Sequence, residues 1–119
     1  MTSNLLRVGL IGCGRIVEEG HGPAYDELAD SYAVAALADP SEQRRDLIGE
    51  RFGVAAARRH ADYRDLLAAG ELDLVDIAVP HALHAETCIA AAQAGLPIVL
   101  EKPMATTLDE AEAIIAAVE

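Results

Sequence analysis

The stretch Val8-Gly9-Leu10-Ile11-Gly12-Cys13-Gly14-Arg15-Ile16 is an apolar run that ends in a Gly-x-Gly turn and continues into a helical pattern. Glycines at such a turn let bare backbone N–H groups approach a ligand, and the start of a helix adds partial positive charge. Both features favour a pyrophosphate, so a dinucleotide is the first ligand that the sequence predicts. Glycine pairs after a strand also form ordinary turns, and the rest of the chain has to decide between the two interpretations.

The length and composition of the chain predict one layered α/β domain. The 119 residues are 52% apolar with only three tyrosines and one phenylalanine, which suits helices packed closely on a sheet. Twenty acidic and nine basic side chains give a formal net charge of −11. This charge argues against non-specific binding to nucleic acid or to an anionic membrane surface, so we expect neither partner.

The cysteines and the N-terminal residues indicate a cytoplasmic protein. Cys13 and Cys88 are far apart and form no Cys-x-x-Cys or metal-type spacing, so we expect two buried thiols in a reducing compartment. Residues 1–7 show no basic region followed by a long apolar core, and no apolar run approaches the ~18 residues of a spanning helix. The sequence therefore predicts cytoplasmic localisation.

Five apolar segments alternate with helical patterns along the chain. The strands are predicted at Leu5–Ile11, Ala33–Ala38, Ala55–Arg59, Leu74–Val79 and Pro97–Leu100. Strands that alternate with helices at this spacing form a doubly wound parallel sheet, the Rossmann α/β fold, with helices on both faces. The carboxyl ends of the strands then meet at one edge, where such a sheet binds its ligand.

The helix after the first strand is predicted to be interrupted. Its pattern runs from Arg15 to Leu28 but contains Gly20, Gly22 and Pro23, which weaken or end helices. We therefore expect a short first helix, a break and a second helical piece.

Capping signals bound the later helices. Asp39 is predicted to cap the second helix, with Glu42 completing a capping box and Gly53 closing the C-terminal end. Further helices are predicted at Asp62–Leu67, at Leu83–Ala94 and from Thr107 to the C-terminus.

Gly12 and Gly14 fill the first two positions of the Gly-x-Gly-x-x-Gly fingerprint, and Val17 stands at the third. In that fingerprint the first glycine makes the tight turn and the second allows the pyrophosphate to approach. The third glycine allows close packing of the helix on the strand. We therefore expect Val17 to push the helix slightly outward.

Asp39 follows the second predicted strand and lies 25 residues beyond Gly14. A carboxylate at this place accepts hydrogen bonds from an adenosine ribose, and it favours NAD because a 2′-phosphate would meet like charge. Arg44 and Arg45, one turn into the next helix, are placed to offset that charge, so NADP stays open as the cofactor. The competing interpretation is that Asp39 only caps the helix.

Three later stretches of the chain resemble a known family. Val75-Asp76-Ile77-Ala78-Val79-Pro80-His81-Ala82-Leu83-His84 is followed by Ala94-Gly95 and then by Val99-Leu100-Glu101-Lys102-Pro103-Met104-Ala105. Together they are similar to the N-terminal half of the Gfo/Idh/MocA oxidoreductases, which include glucose-fructose oxidoreductase and inositol 2-dehydrogenase. The resemblance covers nearly the whole chain, and its Pro-x-x-x-His and Glu-Lys-Pro motifs are far more specific than the glycine motif.

The resemblance implies a role for each matching residue. The pyrophosphate would be held by Gly12, Cys13, Gly14, Arg15 and Ile16, the ribose by Asp39, and the nicotinamide would be bordered by Pro80, His81, His84, Glu101 and Lys102. It also implies a cis peptide bond between Lys102 and Pro103. Two positions depart from the family pattern, because His81 stands where Asn is usual and Val17 where a small residue is usual.

Lys102 is the only lysine of the chain, and its position suggests catalysis on chemical grounds as well. An alcohol that loses hydride to a nicotinamide must also lose its proton. An ammonium within hydrogen-bonding reach stabilises the developing alkoxide or relays that proton. We therefore predict Lys102 as the catalytic residue, against the alternative of a solvated charge after a strand.

The other titratable residues give weaker signals. His81 and His84 are three residues apart, but no third ligand has a suitable spacing, so no metal is predicted. Glu18 and Glu19 are expected to form a solvated helical face, and His21 belongs to no motif.

In the family that the chain resembles, a second, C-terminal domain completes the substrate site. Because the sequence ends at Glu119, we expect residues 1–119 to be an NAD(P)-binding domain truncated before a sixth strand. The C-terminal substrate domain would be absent, and the chain alone would be inactive. The strand Pro97–Leu100 would form an exposed sheet edge, through which two copies could pair.

The predicted function is the cofactor domain of an NAD(P)-dependent oxidoreductase that acts on a sugar, a polyol or a related alcohol. The alternative is a stand-alone dinucleotide-binding or redox-sensing module without catalysis. A methyltransferase shares the glycine loop and the acidic residue after the second strand, but the Glu-Lys-Pro motif does not favour it.

Overall fold

A parallel sheet organises the chain in the computed structural model, which describes residues 5–15 and 17–100. Its five strands are β1 (Leu6–Ile11), β2 (Tyr32–Ala38), β3 (Arg59–His60), β4 (Leu74–Ile77) and β5 (Ile98–Leu100). They lie in the order β3-β2-β1-β4-β5, and every neighbouring pair is parallel. The winding of the chain reverses between β1 and β4, as a doubly wound sheet requires.

Helices cover both faces of this sheet. Within the described residues they are α1 (Gly22–Glu27), α2 (Glu42–Phe52), α3 (Tyr63–Ala69) and α4 (His84–Gln93). One buried cluster joins Leu10 of β1 to Ile48 of α2. The other joins Ile11 of β1 to Leu66 of α3 and Cys88 of α4. Because successive side chains of a strand point to opposite faces, β1 supplies both cores, and the predicted α/β fold is confirmed.

The helical segment after β1 is continuous rather than broken. Val17–His21 forms a π-helical turn that runs directly into α1, so the predicted break is wrong. Pro23 lies in the first turn of α1 and has no N–H to donate to the preceding turn; the carbonyl oxygen of Glu18 in that turn accepts from Arg51 Nη1 at 2.7 Å. Gly22 is buried, and a Cβ there would lie 2.7 Å from the carbonyl oxygen of Val17, so this tight winding needs glycine.

Ser41, and not Asp39, caps α2. The Ser41 hydroxyl accepts a hydrogen bond from the backbone N–H of Arg44 at 3.2 Å. The Asp39 carboxylate instead accepts from the backbone N–H groups of Cys13 and Ser41, each at 2.8 Å. The predicted cap at Asp39 is therefore wrong, because the carboxylate oxygens of Asp39 bind backbone N–H groups that lie outside the first turn of α2. Gly53 ends α2 in the left-handed conformation, as predicted.

The third strand is shorter and lies later than predicted. Ala56–Arg58 forms a 3₁₀ turn, and only Arg59–His60 pairs with β2. Alanine is a weak strand former, which explains why pairing begins only after the alanine run. The other predicted boundaries from β2 to β5 agree with the structure to within two residues, with a 3₁₀ turn at His81–Leu83 before α4. The helix predicted from Thr107 lies outside the described residues.

Cys13 and Cys88 are both buried free thiols, as predicted. In the part of the chain that the structure describes, no helix combines the length and apolar character needed to cross a membrane. The same part contains no group of three or more His, Cys, Asp and Glu side chains arranged to hold a metal ion.

Gly12 and Gly14 differ in what surrounds them. Gly12 has φ +104°, and a Cβ there would lie 2.2 Å from the backbone carbonyl oxygen of Ala78, which follows β4. A Cβ on Gly14 would have no described atom within 4 Å. The fold therefore requires glycine at the first position of the motif but leaves the second position open.

We predict that Gly12→Ala lowers the free energy of unfolding by about 3 kcal/mol, because it combines an unfavourable φ with a backbone clash. Gly14→Ala is the matched control and should stay within about 0.5 kcal/mol of the wild type. Urea unfolding followed by circular dichroism measures both variants. Equal losses of stability in the two variants would contradict the assignment of different roles to the two glycines.

Candidate functional site

A cleft of about 510 Å³ opens at the carboxyl edge of the sheet. Its walls come from the residues that follow four of the strands, among them Gly12, Gly14, Asp39, Asp62, Tyr63, Val79 and Pro80. The edge of a doubly wound sheet where the strand order reverses is the general ligand site of this fold. The structure thus brings together the glycine loop, the acidic residue after β2 and the proline after β4.

The Asp39 carboxylate ties the first two loops of the cleft together. Its Oδ2 accepts from Cys13 N–H in the glycine loop, and its Oδ1 accepts from Ser41 N–H at the start of α2. A carboxylate has about four lone-pair sites, so two remain for ribose hydroxyl groups. Asp39 is half-buried in the cleft wall and is both fixed in place and able to accept further hydrogen bonds.

Arg44 and Arg45 lie close to Asp39 but are not among the residues that line the cleft. Arg44 donates from Nε to the carbonyl oxygen of Cys13 at 2.7 Å and from Nη2 to Glu18 Oε1 at 2.8 Å. Arg45 donates from Nη1 to the carbonyl oxygens of Asp39 and Pro40. Glu18 is therefore an ion-pair partner and not simply part of a solvated helical face, as the sequence suggested.

Cys13 contributes its backbone to the glycine loop and its side chain to the core. The thiol is fully buried. Burial, followed by the charge of Asp39, raises the pKa of Cys13 to about 12, against the opposing charges of Arg44 and Arg45. Burial also raises the pKa of Cys88 to about 11. Both thiols therefore stay protonated and unreactive at neutral pH.

The other predicted site residues have varied positions. Arg15 is exposed and pairs with Glu19 at 3.1 Å. His84 is fully buried, and its Nε2 donates to the carbonyl oxygen of Val79 at 2.9 Å, so it supports the loop after β4 without lining the cleft. His81 lies in the 3₁₀ turn before α4. Ile16, Glu101 and Lys102 lie outside the described residues. The cofactor contacts assigned to all these residues stay predictions.

Tyr63 is a residue of the cleft that the sequence did not single out. Its hydroxyl donates to Glu86 Oε2 at 2.7 Å, and Arg64 donates to the same oxygen at 3.3 Å. Burial and the contact with Glu86 raise the pKa of Tyr63, so it stays a hydrogen-bond donor at neutral pH. The signal was present in the sequence, because the cap at Asp62 places Tyr63 in the first turn after a strand.

A buried carboxylate on the opposite side of the sheet from α4 was also missed. Asp76, in β4, is 1% exposed; its Oδ2 accepts from the Tyr25 hydroxyl at 2.7 Å and lies 2.9 Å from His21 Nδ1. A buried charge must be paired, so the aspartate inside the apolar run of β4 was the signal in the sequence that could have indicated a buried partner. The three side chains form part of the wall of a second cavity of about 430 Å³ beside β5.

We predict that Tyr25→Phe lowers the free energy of unfolding at neutral pH by about 1.5–3 kcal/mol, because a charged acceptor loses its donor. Burial and Asp76 raise the pKa of Tyr25, so the folded protein retains this proton where the unfolded chain loses it. Stability should therefore fall as the pH rises above about 10, and less steeply in the variant. Urea unfolding between pH 7 and 11 checks this, with Tyr32→Phe as control. Equal alkaline slopes would contradict it.

Comparison with known proteins identifies the family. The sequence profile of the Gfo/Idh/MocA proteins, an oxidoreductase family with an NAD-binding Rossmann fold, matches residues 6–119. The chain belongs to this family. It is 37% identical over 110 residues to D-apiose dehydrogenase of Paraburkholderia graminis, in an alignment that covers 92% of this chain and 28% of that protein. The predicted family membership is confirmed, which decides against the methyltransferase.

Solved structures of related enzymes share the fold. The WlbA dehydrogenase of Chromobacterium violaceum, in complex with NADH and UDP-GlcNAcA, has a TM-score of 0.90 and 32% identity over 98% of this chain and 33% of its own. KijD10, a 3-ketoreductase of Actinomadura kijaniata in complex with NADP and TDP-benzene, has a TM-score of 0.85 and 33% identity over 97% of this chain and 34% of its own. The chain spans about a third of the length of these relatives.

Proposed function

We propose that this chain is the NAD-binding part of a dehydrogenase that transfers hydride between the cofactor and a sugar, a polyol or a related alcohol. The observation that carries the proposal is the contact of Asp39 with the glycine loop inside the cleft at the carboxyl edge of the sheet. Asp39 would then bind the ribose and the glycine loop the adjoining pyrophosphate of one adenosine diphosphate, on one wall of the cleft.

The two motif glycines support the placement of the pyrophosphate. Gly12 packs against the backbone after β4, whereas the open side of Gly14 is free for a ligand to approach the loop. The N–H of Cys13 already donates to Asp39, so it fixes the loop and leaves phosphate binding to the backbone that follows. A nicotinamide extending from there toward Val79 and Pro80 would run along the cleft and supply the hydride acceptor.

The substrate class rests on the named relatives. D-apiose dehydrogenase acts on a sugar, and the WlbA dehydrogenase was solved with the nucleotide sugar UDP-GlcNAcA. Because those relatives are about three times as long, substrate binding would require residues beyond this domain. Within the chain, we assign Glu101 to cofactor positioning and Lys102 to proton transfer, on the strength of the Glu-Lys-Pro motif.

Two further features of the proposal follow from the fold. β5 is the outermost described strand on its side of the sheet, and pairing of such an edge with a second copy would give a homo-oligomer. The two free thiols fit a reducing cytoplasm, where disulfide bonds are rare.

We expect the 119-residue chain to bind NAD more tightly than NADP in isothermal titration calorimetry. Asp39→Ala should weaken NAD binding by about tenfold, because it removes a charged acceptor of the ribose hydroxyls, and should weaken NADP binding less. Gly14→Ala should weaken both cofactors, since its methyl group would occupy the approach to the loop.

Asp30→Ala, which removes an exposed carboxylate between α1 and β2, is the control for charge. Circular dichroism should show that each variant remains folded. The proposal would be refuted by a wild-type chain that binds neither cofactor at millimolar concentration. A stronger loss of NADP than of NAD in Asp39→Ala would remove Asp39 from the ribose.

In a polypeptide that joins this domain to its substrate-binding part, Lys102→Ala should lower kcat by about 10²-fold or more, because it removes the group that stabilises the developing alkoxide or relays the substrate proton. Cofactor affinity should change little, which separates a catalytic loss from a binding loss. Steady-state kinetics with fluorescence titration of the cofactor measures both quantities. Unchanged turnover would exclude Lys102 from catalysis.

A further inference from the structure

The Arg44 side chain links the glycine loop to the first helical turn. Its Nε donates to the carbonyl oxygen of Cys13 at 2.7 Å, and its Nη2 donates to Glu18 Oε1 at 2.8 Å. The same loop residue, Cys13, donates its N–H to Asp39. The guanidinium of Arg44 and the carboxylate that we assign to the ribose therefore bind the same loop residue, Cys13.

An arginine in this neighbourhood is the group that accommodates the 2′-phosphate in dinucleotide folds that take NADP. Its planar guanidinium can bind a phosphate through two parallel N–H donors. Here two of the five donors are directed to Glu18 and to the loop, and Arg44 does not line the cleft. Arg45 is similarly held, by the carbonyl oxygens of Asp39 and Pro40.

We propose that Glu18 sets the cofactor preference of the domain by holding Arg44 against the glycine loop, away from the position of a 2′-phosphate. The proposal rests on the function proposed above, because it requires a dinucleotide in the cleft. Glu18 is then a positioning residue that acts through Arg44. Asp39 repels the 2′-phosphate directly, and Glu18 withholds the cation that would offset this repulsion.

The surroundings of Glu18 allow its side chain to be replaced with little effect on the stability of the fold. The side chains of Arg44 and Glu18 are 27% and 40% exposed, and an ion pair this exposed contributes little to stability. The backbone of Glu18 is held independently, because its carbonyl oxygen accepts from Arg51 Nη1 at 2.7 Å. Glu18→Gln removes the charge of this ion pair and should therefore weaken the hold on the guanidinium of Arg44 without unfolding the helical turn.

The test compares affinities for NAD and NADP in the full 119-residue chain by calorimetry. In Glu18→Gln we expect NADP to bind about tenfold more tightly, because the released guanidinium can donate one charge-assisted hydrogen bond to the 2′-phosphate, while the affinity for NAD changes by less than about twofold. The tighter binding should recur with 2′,5′-ADP and be absent with 5′-ADP, a pattern that a merely structural role of Glu18 would not produce. The double variant Glu18→Gln/Arg44→Gln should return to the wild-type affinity for NADP.

Glu71→Gln is the matched control, because it also removes one carboxylate that pairs with an arginine, in this case Arg58 at 3.4 Å. It should leave the ratio of NADP to NAD affinity at the wild-type value. An unchanged ratio in Glu18→Gln, or the same increase in Glu71→Gln, would overturn the inference while NAD binding by the wild type upholds the proposed function. A wild-type chain that binds neither cofactor would overturn both.

Discussion

The hydrogen bond from Cys13 N–H to the Asp39 carboxylate is the interaction on which the cofactor cleft depends. It joins the loop after β1 to the loop after β2, and the second oxygen of Asp39 binds the residue that caps α2. One side chain thus fixes the position of the glycine loop relative to the start of a helix. Because backbone donors hold the carboxylate, it is oriented before any ligand arrives, and its remaining lone pairs are available to a ligand without a cost of ordering.

The reversal of winding between β1 and β4 imposes the second constraint. The segments that follow β1 and β4 diverge at that point. The backbone of Ala78 approaches the turn at Gly12 so closely that a Cβ on Gly12 is excluded. Gly12, Ala78 and Gly14 all lie in the wall of the cleft. The two glycines of the motif nevertheless differ: the packing of two loops excludes a Cβ at Gly12, whereas a Cβ at Gly14 would meet no described atom. The sequence pattern treats both glycines alike, and only their surroundings separate them.

The sequence predicted those features that local patterns control. Strand and helix order, the cap at Asp62 and the glycine that ends α2 all depend on residues within a few positions of each other. The sequence could not predict partners that are distant along the chain. His21 and Asp76 are 55 residues apart, and Glu18 and Arg44 are 26 apart, so neither pair produces a periodicity or a spacing. The cap predicted at Asp39 was wrong for the same reason. A helix cap binds residues next to it in the sequence, whereas one oxygen of Asp39 accepts from Cys13, which follows another strand.

The charged residues around Asp39 show most clearly why the position of a side chain in the structure matters more than its presence in the sequence. The sequence places Asp39 after the second strand and Arg44 and Arg45 one turn into the next helix, and the two kinds of charge act in opposite directions on a 2′-phosphate. Such a balance of charge favours neither NAD nor NADP. The structure breaks the balance, because Asp39 lines the cleft while both arginines donate to protein oxygens and do not. A 2′-phosphate would therefore meet the carboxylate at close range and the cations only after their present hydrogen bonds had been broken. The proposed preference for NAD therefore rests on where these groups lie relative to the cleft, and not on their net charge.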